Sequence, residues 1–157
     1  MTLRSLLVGT AAGAVGTAAL NIATYADMAS RGRPSSETPS KLVKNVASSA
    51  GIEPLAAEDE TAQNRRSGVG ALLGYVNGIG VGAVYGLIRP AIRGRVPLFV
   101  AALAAGGAAM ALSDVPATKS GATDPKTWGA EGWIADIVPH VLYGLALAFA
   151  FDALDEA

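Results

Sequence analysis

The sequence predicts an all-α membrane protein: a four-transmembrane-helix bundle with a short amphipathic helix in its first loop. Three observations carry that expectation. Charged residues fill only 16% of the 157 positions, against about a quarter in soluble domains. The hydrophobic fraction is 51% and the mean hydropathy is +0.38, with the apolar residues gathered into four stretches between charged loops, as a bilayer requires. One of those stretches carries glycine at every fourth position, which leaves a helix face that neighbours can approach closely. The length suits a single membrane domain, 1–157.

The stretches are Leu3 to Ala26, Gly68 to Ile88, Pro97 to Leu112 and Trp133 to Phe151, giving helices at about 3–28, 67–89, 97–113 and 133–153 with a surface loop at 29–66. A helix needs about 20 residues to cross about 30 Å of hydrocarbon. The third is short and crosses only if Arg95 snorkels at one end while Ser113 and Asp114 sit at the other interface. A re-entrant third segment would instead place the two termini on opposite sides. The first stretch has the charged start of a signal peptide in Arg4, but its apolar run is long and no small-x-small cleavage site follows, so it is expected to stay as a helix.

The first helix is expected to stop at Arg31-Gly32-Arg33-Pro34, and Thr38-Pro39 then offers an N-cap and a first-turn proline. Leu42, Val43, Val46, Ala47 and Ala50 follow at helical spacing and Gly51 closes them, which is the amphipathic helix. Lys41 and Lys44 suit lipid headgroups and favour a membrane-surface position, although a partner-docking helix would show the same pattern. From Pro54 to Arg66 the chain is polar and helix-competent, so the second transmembrane helix can extend well outside the bilayer. In the last loop Asp124-Pro125 reads as a cap and first turn of a short helix, and Trp128 and Trp133 as interface anchors.

The net charge is −1 with acids and bases well mixed, so no basic surface points to nucleic acid as a partner; membrane lipids are the expected one. The absence of cysteine removes disulfides, thiolate metal sites and a cysteine nucleophile. With four crossings, Arg4, Arg89, Arg93 and Arg95 share one side, while Arg31, Arg33, Lys41, Lys44, Arg65, Arg66, Lys119 and Lys126 share the other. The count places the first and third loops in the cytoplasm. The density of arginine in the short second loop argues the other way.

The glycine register comprises Gly70, Gly74, Gly78, Gly82 and Gly86. Between membrane helices there is no hydrophobic force, so close backbone approach and weak Cα–H to carbonyl bonds carry the association. Gly9, Gly13 and Gly16 in the first stretch and Ala101, Ala105 and Ala109 in the third offer matching surfaces within the chain. Packing within one chain is therefore one use of the groove; a homo-oligomer or larger membrane complex is the other.

Up-and-down connectivity gathers polar residues at one end: Asp27, Arg65 with Arg66, Asp114, and Asp136 with His140. Asp136, His140 and Tyr143 fall on one stripe of the fourth helix, Thr10, Thr17, Asn21 and Thr24 on one stripe of the first, and Asn77 comes from the second. Pro139 frees the carbonyl of Ala135 and predicts a kink. An acid, an imidazole and a freed carbonyl can line a proton or ion path, because histidine titrates near neutral pH and intramembrane ionisable groups face the bundle interior or water. The structural alternative is equally open: Asp136 near a helix N-terminus suits the macrodipole, an Asp/His pair at i, i+4 satisfies itself, and Asp114 before Val115-Pro116 can end the third helix. No catalytic residue is assigned. A single histidine among scattered acids gives no metal spacing. Gly78-Ile-Gly80-Val-Gly82 lies inside an apolar helix rather than after a strand, so no cofactor is expected.

Ser113-Asp114-Val115-Pro116, Thr123-Asp124-Pro125, Trp128, Trp133 through Asp136 to Pro139-His140 and Tyr143-Gly144 together resemble small polytopic membrane proteins of high-GC Gram-positive bacteria. A last helix entered through tryptophan and carrying an acid and then a histidine is also similar to the YagU family of bacterial inner-membrane proteins. That resemblance covers the second half of the chain and implies a multi-pass protein of the bacterial inner (plasma) membrane with a role in membrane or proton homeostasis. It supplies no catalytic residues. The expected function is a structural or accessory membrane component with glycine-mediated helix packing. The alternative is a small-solute or proton pathway through the Asp/His cluster, and a membrane-embedded lipid enzyme is third.

Overall fold

A computed structural model describes residues 2–156, which fold as an all-α bundle. Its elements are α1 (Leu3–Arg31), α2 (Thr38–Ala50), α3 (Glu53–Ala56), α4 (Glu60–Ile92), α5 (Leu98–Lys119), a 3₁₀ turn (Pro125–Thr127) and α6 (Gly129–Asp155). Four of them, α1, α4, α5 and α6, are long and apolar enough to cross a membrane. At 1.5 Å per residue even α5 spans about 33 Å, more than the hydrocarbon needs.

Local chemistry sets the boundaries. The Thr2 hydroxyl accepts from the Ser5 amide at 3.1 Å and starts α1. At the other end Gly32 takes the left-handed conformation, φ 65°, that a side chain would resist. Asp59 caps α4 by accepting from the Ala62 amide at 2.8 Å. Gly51 closes α2 at φ 68°, so that the Ile52 amide reaches the Ala47 carbonyl at 2.9 Å.

Several boundaries differ from those expected of the sequence. Thr38 is the first residue inside α2 rather than its cap; Glu37 holds the cap position and the Ser36 hydroxyl accepts from the Thr38 amide. The loop at 29–66 is shortened in the way the helix-competent run from Pro54 to Arg66 allows: α4 begins at Glu60, its polar first turns held by the Asp59 cap. Asp114 does not end α5, which runs through Pro116 to Lys119. The Ser113 hydroxyl donates there to the carbonyls of Ala109 and Met110 at 3.1 and 2.9 Å, and a proline is tolerated when its neighbours hold the helix together. Likewise Asp136 stands two turns inside α6 rather than at its start.

The four long helices run up and down. α1 packs extensively on α4 and on α6, α6 packs on α5, and α4 meets α5 more lightly. Glycine decides how closely. A methyl group added at Gly9 or Gly13 would meet the backbone of Gly78, Gly82 or Gly86, and one at Gly82 or Gly86 would meet the backbone around Gly9 and Gly13. At the α5–α6 crossing Gly106 lies against the His140 carbonyl and Gly144 against that of Ala102. The core is correspondingly lean: alanines 12, 101, 102, 105, 109 and 148 surround five larger side chains, Val81, Tyr85, Tyr143, Leu147 and Phe151.

α2 buries part of its apolar face inside the molecule, while Val46 and Ala50 stay exposed. Val43 and Ala47 are buried, Pro39 sits against Gly70 of α4, and the Asn45 amide donates to the Ser120 carbonyl at 2.8 Å. Its lysines meet acids of the same chain, Lys41 pairing with Glu37 and Lys44 with Glu58. Lys41 stays largely exposed beside Val46 and Ala50.

Candidate functional site

The polar residues singled out in the sequence separate into three groups. At the centre of the first lies α6. One turn of helix joins Asp136 to His140, whose Nδ1 lies 2.8 Å from the Asp136 carbonyl oxygen and 3.3 Å from its Oδ1. A carbonyl only accepts, so Nδ1 carries the hydrogen of that bond. Asp114 of α5 comes alongside, near enough for the charges of Asp136 and His140 to act on it. Asp136 Oδ2 is buried and has no hydrogen-bond partner. Two acids and an imidazole, side chains of the kind that exchange protons, thus meet at the α5–α6 seam.

The second group is a plug beneath it. Tyr143 is fully buried, its ring lies against Gly16 of α1, and its hydroxyl donates to the Gly78 carbonyl of α4 at 2.6 Å. Only glycine at 16 and 78 leaves room for that ring, since a methyl group at either position would overlap the ring or Thr17 beside it. Below Tyr143, Leu147, Ala148 and Phe151 are also fully buried. Asn77 does not face the acids: its amide donates to the Ala109 carbonyl at 2.9 Å and ties α4 to α5.

The third group stays apart. Asp27 accepts from Arg31 at 2.6 and 2.7 Å and pairs with Arg33, so it closes the end of its own helix. Asn21 reaches the Tyr75 hydroxyl at 3.4 Å near the protein surface. Arg66, expected among the acids, is buried and donates to the carbonyls of Leu55 and Ala57 at 3.0 and 2.6 Å. Arg65 is exposed. Connectivity brings both arginines to the correct end of the bundle, but the unsatisfied carbonyls of the short α3 are nearer acceptors.

Of the glycine register, Gly78, Gly82 and Gly86 face α1, Gly70 faces Pro39, and nothing lies within contact distance of Gly74. Among the described residues no group of three or more histidines or acids is placed to hold a metal ion. Two clefts are open at the surface. One of about 320 Å³ lies between α2 and the end of α5, lined by Asn45, Val46, Ser49, Ala50 and Ser120. The other, about 150 Å³ and wholly apolar, lies on the light α4–α5 seam between Val81, Val84 and Leu112.

Sequence reasoning missed a further polar cluster at the opposite end. Asp152 of α6 accepts from Arg89 at 3.3 Å and from Arg93 at 2.8 Å, and Asp155 accepts from Arg93 at 3.1 Å and from Arg4 at 3.5 Å. The signal was present as arginines at i, i+4 and acids at i, i+3 on helices whose ends the topology brings together. In the sequence Arg89 and Arg93 stand out only as charges on one side of the bundle.

These features define a class: an α-helical bundle with four helices able to span a membrane, small residues at its helix contacts, and polar clusters at both ends. No family model, curated protein or solved structure matches the chain.

Proposed function

We propose that this protein is a structural or accessory component of the bacterial plasma membrane, a glycine zipper whose interior is dry between its polar ends. The observation that carries the reading is the Tyr143 plug, a buried ring held by a 2.6 Å bond to Gly78 and backed by Leu147 and Phe151. A continuous water path would have to displace it. The resemblance to YagU-type proteins adds a setting, membrane or proton homeostasis. Lipids are the immediate partners, and Gly74, which has nothing beside it, leaves a small-residue surface for a second copy or a larger membrane complex.

Because the chain has no cysteine, single cysteines report cleanly. Asn77→Cys in intact membranes should resist a small water-soluble thiol reagent until detergent unfolds the bundle, while Gly94→Cys in the open α4–α5 turn labels at once. Rapid labelling at position 77 without detergent would overturn the dry interior.

One observation favours a second reading, a proton pathway entered through Asp114, Asp136 and His140. It is the buried Asp136 Oδ2, which has no hydrogen-bond partner although a second acid and an imidazole lie beside it. Such a path would use Tyr143 as its next member, and proton flux through reconstituted vesicles tests it.

A further inference from the structure

The α4–α5 turn is richer in hydrogen-bond donors than its acids can satisfy. Arg89 is almost fully buried, its side chain 4% exposed. One end of its guanidinium donates to the Val96 carbonyl at 3.0 Å and the other to Asp152, yet its Nε has no partner. The Nε of Arg93 and the hydroxyl of Tyr85 are also buried and unpartnered. Tyr85 stands edge-on to Phe151 at 5.5 Å, close enough to Arg89, Arg93 and Asp152 to feel all three charges. Both oxygens of Asp152 are already engaged by arginine. Buried donors left in this state call for further acceptor oxygens.

The rim has the same bias. Arg95 makes a single bond, to the Ala91 carbonyl at 3.1 Å, and is otherwise exposed. Arg4, 58% exposed at its side chain, bonds to the last carbonyls of α6 as well as to Asp155. Four arginines thus stand against three acids, Asp152, Asp155 and the neighbouring Glu156. All of this lies where apolar helices end, the depth at which lipid headgroups sit.

We propose that this corner binds a phosphate group, the one carried by the headgroup of an anionic membrane lipid. Arg93 and Arg95 meet its oxygens at the rim, with Arg89 and Tyr85 behind them. The planar fork of a guanidinium matches two phosphate oxygens, and the arginines are already held in place by Asp152 and Asp155. Those acids face the ligand as well, and they weaken its attraction without cancelling it.

The test uses the full chain in neutral detergent, its melting followed while phosphatidylglycerol, phosphatidylcholine or inorganic phosphate is added. Phosphatidylglycerol should raise the melting temperature saturably, by about 5 °C at a hundredfold excess over Kd, and phosphatidylcholine should not. Arg95→Gln removes an exposed side chain, so the variant should melt like the parent alone while losing at least half of the lipid-induced rise. Arg93→Gln with Arg95→Gln should lose all of it, judged by the rise rather than by the starting point. If inorganic phosphate reproduces the effect at equal concentration, the lipid assignment falls and the ligand is free phosphate. Equal shifts from the two lipids, or a full response in both variants, would overturn the site altogether.

Discussion

The Tyr143 hydroxyl of α6 donates to the Gly78 carbonyl of α4 at 2.6 Å, and its ring crosses Gly16 of α1 on the way. One side chain thus joins α1, α4 and α6. Tyr143→Phe keeps the ring and loses the bond, which in a membrane bundle costs about 1 kcal/mol. Tyr143→Ala also opens a cavity and should cost about 3 to 5 kcal/mol. Unfolding in mixed micelles measures both; equal stability of the phenylalanine variant and the parent would mean that the bond contributes nothing.

The glycines of α4 should respond with opposite signs. Gly82→Ala drives a methyl group into the Gly13 backbone, and Gly78→Leu has no room beside Thr17 and Tyr143; both should lower the melting point and the yield of folded protein. Gly74→Ala and Gly80→Ala place the methyl group in open space. There they should be neutral or stabilising by about 0.5 to 1 kcal/mol, the intrinsic preference of a helix for alanine. If the variants at 74 and 82 behaved alike, the α1–α4 contact would not be the use to which the register is put.

Proton flux separates the two functional readings. If the bundle is structural, Asp136→Asn and His140→Gln leave the proton permeability of reconstituted vesicles at the level of the parent. A tenfold fall in either variant, with the fold intact, would favour the pathway. Asp114→Asn adds a control, because its amide can donate to Asp136 without any proton from solution and should preserve the α5–α6 seam.

A pH effect is expected at the tether of α2. Lys44 lies 2.5 Å from Glu58, and its hydrogen bond, followed by its charge, holds the Glu58 carboxyl below the usual 4.5. A depressed acid stabilises the folded state above its unfolded pKa and loses that contribution as pH falls through the folded value. The tether should therefore loosen only below about pH 4.5. The effect is small, since Glu58 is 78% exposed and such pairs are screened by water. Carboxyl-carbon NMR should give Glu58 a midpoint below 4.5 that moves back up in Lys44→Gln. An identical midpoint in both proteins would remove the tether.

Much of the architecture is legible in the residues. Four long apolar runs can only be helices in a bilayer, because the backbone must satisfy itself there. Gly32 and Gly51 mark the ends of α1 and α2, and Asp124-Pro125 opens its turn as expected, the Asp124 carboxyl accepting from the Lys126 amide at 3.0 Å. Up-and-down connectivity also brings Asp114 to Asp136 and His140, a relationship that needs only the order of the helices. Partner choice was not legible. The stripe of glycines fixes a face of α4 without saying which helix comes to it, and the same chemistry serves a neighbour in the chain or a second molecule.

What the sequence by itself determined was the class of element, its ends and which polar residues share an end of the bundle, all consequences of local backbone chemistry and of the bilayer's thickness. What only the tertiary structure decided was the pairing within each end. Arg66 turns to the carbonyls of α3 and Asp27 to its own arginines, while Arg89 finds Asp152 across more than sixty residues of chain. Those choices depend on side-chain distances of a few ångströms set by how glycine and alanine let helices close on one another, and helical periodicity carries no information about that distance.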